Sequence, residues 1–344
     1  MQPADFGVRT SSVSIQASAR ISMALWMKES SQRIGPLMAT QTEHVEIKSR
    51  RAFAMALMVV SSVGISFGGL VLRSMDDADV WQINFYRSLA LVVTVTLLML
   101  FRYRGQSVQK VRQIGRPGLI AGALLAGAGI AFLQAITNTT VANTLFTLSA
   151  IPFLSAALAW LFLREALQKA TLYTMLAAAV GVGVMMAEGV GTGSFYGNAM
   201  ALTTAFLFSS YAIIVRQNRN IDMLPALMVS GLLIVLVAGV LRWDDLVIST
   251  HDLVLCLLLG GGISGLTNAL FIVASRHLVA AELTLFMLLE FALGPIWVWI
   301  FINEIPTEWT IFGGTIVILA VVLRALFQLR HDVARLRRGR NSPI

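Results

Sequence analysis

Cysteine occurs once in this 344-residue chain, at Cys256, and histidine only at His44, His251, His277 and His331. One thiol cannot close an intrachain disulfide, and no Cys/His spacing matches a zinc ligand set, so neither a disulfide framework nor a structural metal site is encoded and no cofactor is expected. Charge is also scarce. Asp, Glu, Lys and Arg together make up 13% of residues against 57% hydrophobic ones, and the mean hydropathy is +0.76. A soluble core cannot hide that much apolar surface, so the chain reads as an all-α integral membrane protein.

Crossing the hydrocarbon takes about 20 mainly apolar residues. Ten such segments can be read, at 53–72, 81–101, 117–136, 141–163, 169–187, 195–215, 223–241, 253–275, 279–302 and 309–327. Residues 1–50 differ: they are mixed in polarity and carry no sustained apolar run or evident signal peptide, as expected of a disordered cytoplasmic tail or of a start upstream of the true initiator, with Met38 as the alternative to Met1. Residues 328–344 form a basic tail.

The apolar segments repeat. Trp160, Phe162, Glu165 and Thr171 recur 139 positions later as Trp299, Phe301, Glu304 and Thr310, and Gly122, Phe132, Ala135, Ala142 and Leu154 recur as Gly261, Phe271, Ala274, Ala281 and Leu293. That offset carries the fourth span onto the ninth. A shift of five spans reverses direction through the bilayer, so the expected architecture is ten transmembrane helices as two inverted five-helix repeats, 53–187 and 195–327.

Lys and Arg fall on one side of the spans. That side would hold Lys48, Arg50, Arg51, Arg102, Arg104, Lys110, Arg112, Arg116, Arg164, Lys169, Arg216, Arg219, Arg276 and the Arg-rich tail, whereas the other holds Arg73 and Arg242 amid several acids. Both termini are therefore expected in the cytoplasm, with the protein multi-pass in the inner membrane. The net charge of +8 follows from cytoplasmic loops and the tail, without nucleic acid; a basic tail can also rest on anionic lipid. Trp81, Trp243 and Trp309 fall at outer span ends, as an interfacial belt would.

Gly262-Ile263-Ser264-Gly265 spells the G-x-S-G of an intramembrane serine protease. A nucleophile needs a base within about 3 Å, but His277 lies 13 residues along the same expected helix, roughly 20 Å away. An intramembrane enzyme is thereby disfavoured, and close helix packing explains the glycines. A non-transporting scaffold or sensor would call for a large soluble domain, and the loops are short.

Ten short-looped spans, inverted halves and a run ending in an acidic residue in each half resemble the EamA-type branch of the drug/metabolite transporter superfamily. The resemblance covers about 53–327. It rests on Ile151-Pro152 through Glu165-Ala166-Leu167 in the first half and on Leu289-Glu290-Phe291 with Glu304-Ile305-Pro306 in the second. Phe85-Tyr86-Arg87 matches an arginine the family often carries early in its second span. The sequence departs at Phe291, where the family often has proline; Pro295 follows four residues later. The resemblance implies a secondary transporter of small polar or amphipathic metabolites, amino-acid-like, nucleoside-like or vitamin-like, working by alternating access from a cavity between the halves. A homodimer is compatible with it.

Charge inside a bilayer costs about 2.5–3.5 kcal/mol on insertion scales and survives where it meets a cavity or a partner. Glu290 lies near the middle of span nine, and its counterpart at the repeat offset is Ile151, so one half alone keeps the carboxylate. It reads as a proton or substrate-amine site, as a partner for Arg87, or as a tolerated protonated acid. Arg87 reads as an outer-interface anchor that snorkels, or as a clamp for a substrate carboxylate or phosphate. Asn268, Gln134, Asn143 and Tyr211, with Asn84, Thr144, Thr147 and Asn198, are uncharged candidates for lining the cavity. Pro152 and Pro295 are expected to break helices and free carbonyls there. Glu165 and Glu304, at helix exits, read as caps or loop contacts. Trp160, Trp297 and Trp299 read as packing residues that could also stack a planar or cationic substrate.

Overall fold

The computed structural model describes residues 53–164, 169–192, 194–218, 220–267, 270 and 280–340. The N-terminal tail, Glu165 and Asn268 lie outside them. Among the described residues the chain is helical without strands: α1 is Phe53–Arg73, α2 Val80–Tyr103, α3 Gly115–Asn138, α4 Val141–Leu163, α5 Lys169–Thr192, α6 Phe195–Gln217, α7 Leu224–Leu241, α8 Thr250–Leu266, α9 Ala280–Ile302 and α10 Glu308–Arg340. Eight helices among the described residues are long and apolar enough to cross a membrane. The remaining apolar stretches, Thr250–Leu266 and Phe286–Ile302, are shorter. In hydrocarbon a helix satisfies its own backbone, which is why long apolar runs fold this way.

Short polar residues start the helices. Asp79 caps α2 in a reciprocal box with Gln82, Thr140 Oγ1 accepts from Asn143 N at 3.1 Å to start α4, and Ser249 Oγ accepts from Asp252 N at 3.1 Å to start α8. Two ends share an uncommon conformation. α4 closes at Arg164 (φ 53°) and α9 ends before Asn303 (φ 59°), left-handed residues 139 positions apart. α10 continues to Arg340, past the expected membrane exit at 327, through residues that favour helix.

Pro152 breaks α4. Val141–Leu148 ends in a turn at Ser149–Ala150, and a second helix restarts at Ile151 with the proline in its first turn, because a prolyl nitrogen cannot donate to Leu148. Ser209 Oγ from α6 donates to Ile151 O at 3.2 Å. Pro295 does not act alike. α9 runs unbroken through it from Ala280 to Ile302, so the expected break there is corrected to a proline within a continuous helix. At the position equivalent to Pro152, Phe291 keeps its N–H for the helix.

The core runs through both halves, from Leu133, Ile136, Val141, Leu145 and Phe153 to Leu259, Leu288, Phe291, Val298, Val317 and Val321. Helices from the two halves interleave: α2 packs on α7 and α8, α3 on α6 and α7, α4 on α6 and α9, and α5 on α10. The packing has reciprocal detail. A Cβ on Gly181 of α5 would stand 2.5 Å from Gly313 O of α10, and one on Gly313 would stand 2.5 Å from Gly181 O. Gly122 on α3 seats against Val229 of α7, and Gly261 on α8 faces Ala90 of α2; these four residues map onto each other at the 139-residue offset. Leu89, Val93, Leu97 and Phe101 form an outward apolar stripe on α2, as a lipid-facing surface requires.

Candidate functional site

The polar groups fall into two sets. At the ends of α1, α2, α7 and α9, charges pair across the halves. Arg73 Nε stands 2.8 Å from Glu304 Oε2 without aiming its N–H at it, Arg73 Nη2 donates to Thr139 O at 2.7 Å, and Glu304 Oε1 accepts from Val141 N at 2.7 Å. Glu304 is thus a loop contact and a cap for another helix, α4. Arg242 pairs with Asp79. Asp252, fully buried, accepts from the backbone N–H groups of Asp76 (3.2 Å), Asp77 (3.1 Å) and Ala78 (2.9 Å), and Gln82 and Tyr86 donate to the carbonyls of Asp245 and Leu246.

Inside the bundle the second set is unpaired. Asn84 and Ser88 are fully buried on successive turns of α2, and Asn84 Nδ2, Asn84 Oδ1, Arg87 Nε and Ser88 Oγ have no hydrogen-bond partner among the described residues. Residues i, i+3 and i+4 share one helix face, so the three groups converge. Arg87 lies along α8 so closely that a Cβ on Gly260 would fall 1.9 Å from Arg87 O, and its Nη2 stands 3.5 Å from where a Cβ on Gly129 of α3 would be. Its guanidinium therefore points into the helix bundle. α8 is π-helical from Leu258 to Leu266, a widened geometry that concentrates at functional sites.

Glu290 is half-buried and, among the described residues, has neither a hydrogen bond nor an ion pair; it forms none with Arg87. On its face of α9, Gly294 lies against Leu145 of α4, and Trp297 Nε1 donates to Ser66 Oγ of α1 at 2.9 Å while its ring stacks on Phe67 at 4.8 Å. The carboxylate thus sits on the side of α9 turned to α1 and α4.

The other candidates divide. Asn143 is buried and hydrogen-bonded, Nδ2 donating to Asn198 Oδ1 at 2.5 Å, while Asn198 Nδ2 reaches Met185 O at 3.2 Å. This network ties α4, α5 and α6 together, leaving Asn143 Oδ1 open. Gln134 is half-buried on α3, and Tyr211 is half-buried on α6, 5.7 Å from the Phe208 ring. Trp160 and Trp299 are 55% and 53% exposed, at matching positions on the outside of the bundle, where a substrate in its interior does not reach them. Ser88 was not singled out by sequence, although Asn84-x-x-Arg87-Ser88 places three polar groups on one face of an apolar run. Nor did sequence pair Arg73 with Glu304.

A cleft of about 230 Å³ lies apart from these groups, between Lys110, Gln113 and Asn220–Asp222. Beside it Tyr103 and Arg102 at the end of α2 both meet Asp222.

Residues 52–187 match the family model described as the EamA-like transporter family, a stretch that includes α1 to α4 and most of α5. No curated protein matches the chain. Among solved structures, one described only as "Crystal structure of protein" shares 14% identity with a TM-score of 0.60, covering 80% of this chain and 98% of its own, a likeness of fold. By its matched residues, this multi-helix membrane protein carries an EamA-like transporter unit, consistent with an EamA-type member of the drug/metabolite transporter superfamily.

Proposed function

We propose that the chain is a secondary active transporter of small polar or amphipathic metabolites, resident in the cytoplasmic membrane with both termini inside. It works by alternating access between two inverted five-helix halves. The observation that carries this reading is the pairing of an EamA-like match with polar groups inside the helix bundle, Asn84, Arg87, Ser88 and Glu290, that lack a partner among the described residues. Such groups are costly unless a cavity or a solute serves them.

The ten-span, two-fold reading draws support from the backbone. Arg164 and Asn303 both have positive φ at the repeat offset, Thr171 and Thr310 are equally buried at 3% and 2%, and Gly122 on Val229 mirrors Gly261 on Ala90. At that offset Arg87 corresponds to Ala226 and Glu290 to Ile151, so each half contributes one charge that the other lacks. Scaffold symmetry does not require that asymmetry; a polar solute does. Glu290 is the natural proton-coupling group.

Comparing the metabolites of cells with and without the gene, inside and in the medium, tests the reading. One or a few small solutes should change several-fold in opposite directions across the membrane, and purified protein in vesicles should move the same solutes. Unchanged profiles together with inert vesicles would exclude transport.

A further inference from the structure

We infer that the cleft between the short helix Ser107–Gln113 and the α6–α7 loop is a site for the headgroup of an anionic membrane lipid, a phosphodiester that carries a hydroxylated group such as phosphoglycerol. The site lies outside the bundle interior and holds whether or not the chain moves a solute.

Local packing builds the cleft. Val111 seats the short helix against Val95 and Met99 of α2 and Leu224 of α7. Lys110 and Gln113, three positions apart on that helix, then share a face and form one wall of the cleft of about 230 Å³, with Asn220, Ile221 and Asp222 as the other. Asp222, the one acid of these walls, is engaged. Its carboxylate accepts from the Tyr103 hydroxyl and from Leu224 N at 3.1 Å, and Arg102 Nη2 stands 3.6 Å away. Lys110, Gln113 and Asn220 have no hydrogen bond or ion pair among the described residues. An ammonium and two amides, all open, therefore line a cleft whose carboxylate is already served.

That inventory selects the headgroup. The ammonium and the amide N–H groups donate, as a phosphate requires, and one cation neutralises the single charge of a phosphodiester. The amide oxygens of Gln113 and Asn220 accept, which suits hydroxyl groups beyond the phosphate. A zwitterionic ethanolamine headgroup would need a free carboxylate for its ammonium, and Asp222 is taken. Position selects a lipid over a soluble phosphate. α2 ends and α3 begins at this loop, so the cleft stands at the level where the headgroups of a bilayer begin. Phe101 and Val108, both exposed, add apolar surface to the same loop, and Arg104, Arg112 and Arg116 are exposed there, while residues 102–116 contain no acid.

The test uses the full-length protein, delipidated in detergent, and follows its melting temperature as lipid is added: phosphatidylglycerol, phosphatidylethanolamine or phosphatidylcholine of one acyl composition, with glycerol 3-phosphate and inorganic phosphate as soluble probes. Phosphatidylglycerol should stabilise the protein at a midpoint at least ten-fold below that of either zwitterionic lipid, and neither soluble phosphate should match it. Lys110→Gln should raise that midpoint at least ten-fold. Arg112→Gln, on the same helix but outside the walls of the cleft, should raise it about five-fold at most, the worth of diffuse attraction between one basic residue and anionic headgroups. Asn220→Asp puts a negative charge into the opposite wall and should weaken binding as Lys110→Gln does. Because Asn220 is exposed, this second variant reads the site even where Lys110→Gln is unstable. The idea is overturned if a zwitterionic lipid matches phosphatidylglycerol, if Arg112→Gln costs as much as Lys110→Gln, or if Asn220→Asp binds like the parent. A soluble phosphate that matches the lipid would give the cleft to a free phosphate ester and overturn the lipid.

Discussion

Arg73 and Glu304 lie 2.8 Å apart, joining the end of α1 to the second residue past the end of α9. The carboxylate also caps α4 through Val141 N at 2.7 Å, so one side chain holds three helices at one end of the bundle. If the halves rock to open that end, these bonds break. Glu304→Gln keeps the cap's acceptor and loses the charge. Losing an exposed or partly exposed pair is worth on the order of 1 kcal/mol, about a five-fold shift in population. The expected result is roughly five-fold faster outside labelling of a cysteine placed at Asn84 in a Cys256→Ala background. Unchanged labelling would mean that the pair does not latch this end.

The companion pair predicts a pH response by its absence. Burial pushes the Asp79 carboxyl up, but the N–H groups of Gln82 and Trp81 and the Arg242 guanidinium outweigh it and hold the group below its ordinary 3.8. A depressed carboxyl contributes fully above its ordinary value and is lost as pH falls through the depressed one. The tie therefore stays intact from pH 8 down to about 5. Flux measured over that window should keep the same pH midpoint in Asp79→Asn as in the parent, whatever its amplitude. A midpoint that moves would place Asp79 among the groups titrating there.

Much of this was legible beforehand, because bilayer thickness and backbone satisfaction leave few options for an apolar run. The all-helical character, eight of the long apolar helices and the α4 break at Pro152 could be read directly. Contacts between distant residues could not. Arg73 and Glu304 are 231 positions apart, and their meeting depends on how α1, α4 and α9 pack. Pro295 misled because a proline in a buried membrane helix can be accommodated by its neighbours, so the residue type alone does not say whether the helix stops. Trp160 and Trp299 misled by depth, since position along a span does not reveal which face of the helix a ring occupies. Asn268 and Glu165 lie outside the described residues.

Orientation rests on the distribution of Lys and Arg. Single cysteines at Asp77 and Asp245, both exposed, should react with an impermeant thiol reagent added to intact cells, and cysteines at Gln106 and Asn341 should not. The opposite pattern would invert every statement about inside and outside.

Packing makes a firmer demand at Gly181 and Gly313, where the backbones of α5 and α10 meet with no room for a Cβ on either side. The atoms in the way are carbonyl oxygens, which cannot rotate aside. Gly313→Val should force the helices apart at about 1–3 kcal/mol, seen as a lower melting temperature in detergent. Gly183, whose Cβ would meet nothing within 4 Å, is the control, and Gly183→Ala should be neutral or slightly stabilising. Equal losses at the two positions would mean that the crossing lies elsewhere.

Glu290 offers the sharpest functional test. It is a carboxylate without a partner among the described residues, on the face of α9 turned to α1 and α4, with isoleucine at its counterpart in the other half. Because it makes no pair with Arg87, removing its charge leaves no cation stranded, so Glu290→Gln should fold to normal yield. The double variant with Arg87→Gln should show no mutual rescue of yield or activity, its effects simply adding. If the carboxylate carries the coupling proton, Glu290→Gln vesicles should lose accumulation driven by an imposed pH gradient, at least ten-fold, while exchange of labelled for unlabelled solute at equal pH persists. If it instead holds a substrate amine, both processes should fall together, and a solute lacking the amine should be spared. Normal gradient-driven flux in Glu290→Gln would remove Glu290 from the transport cycle.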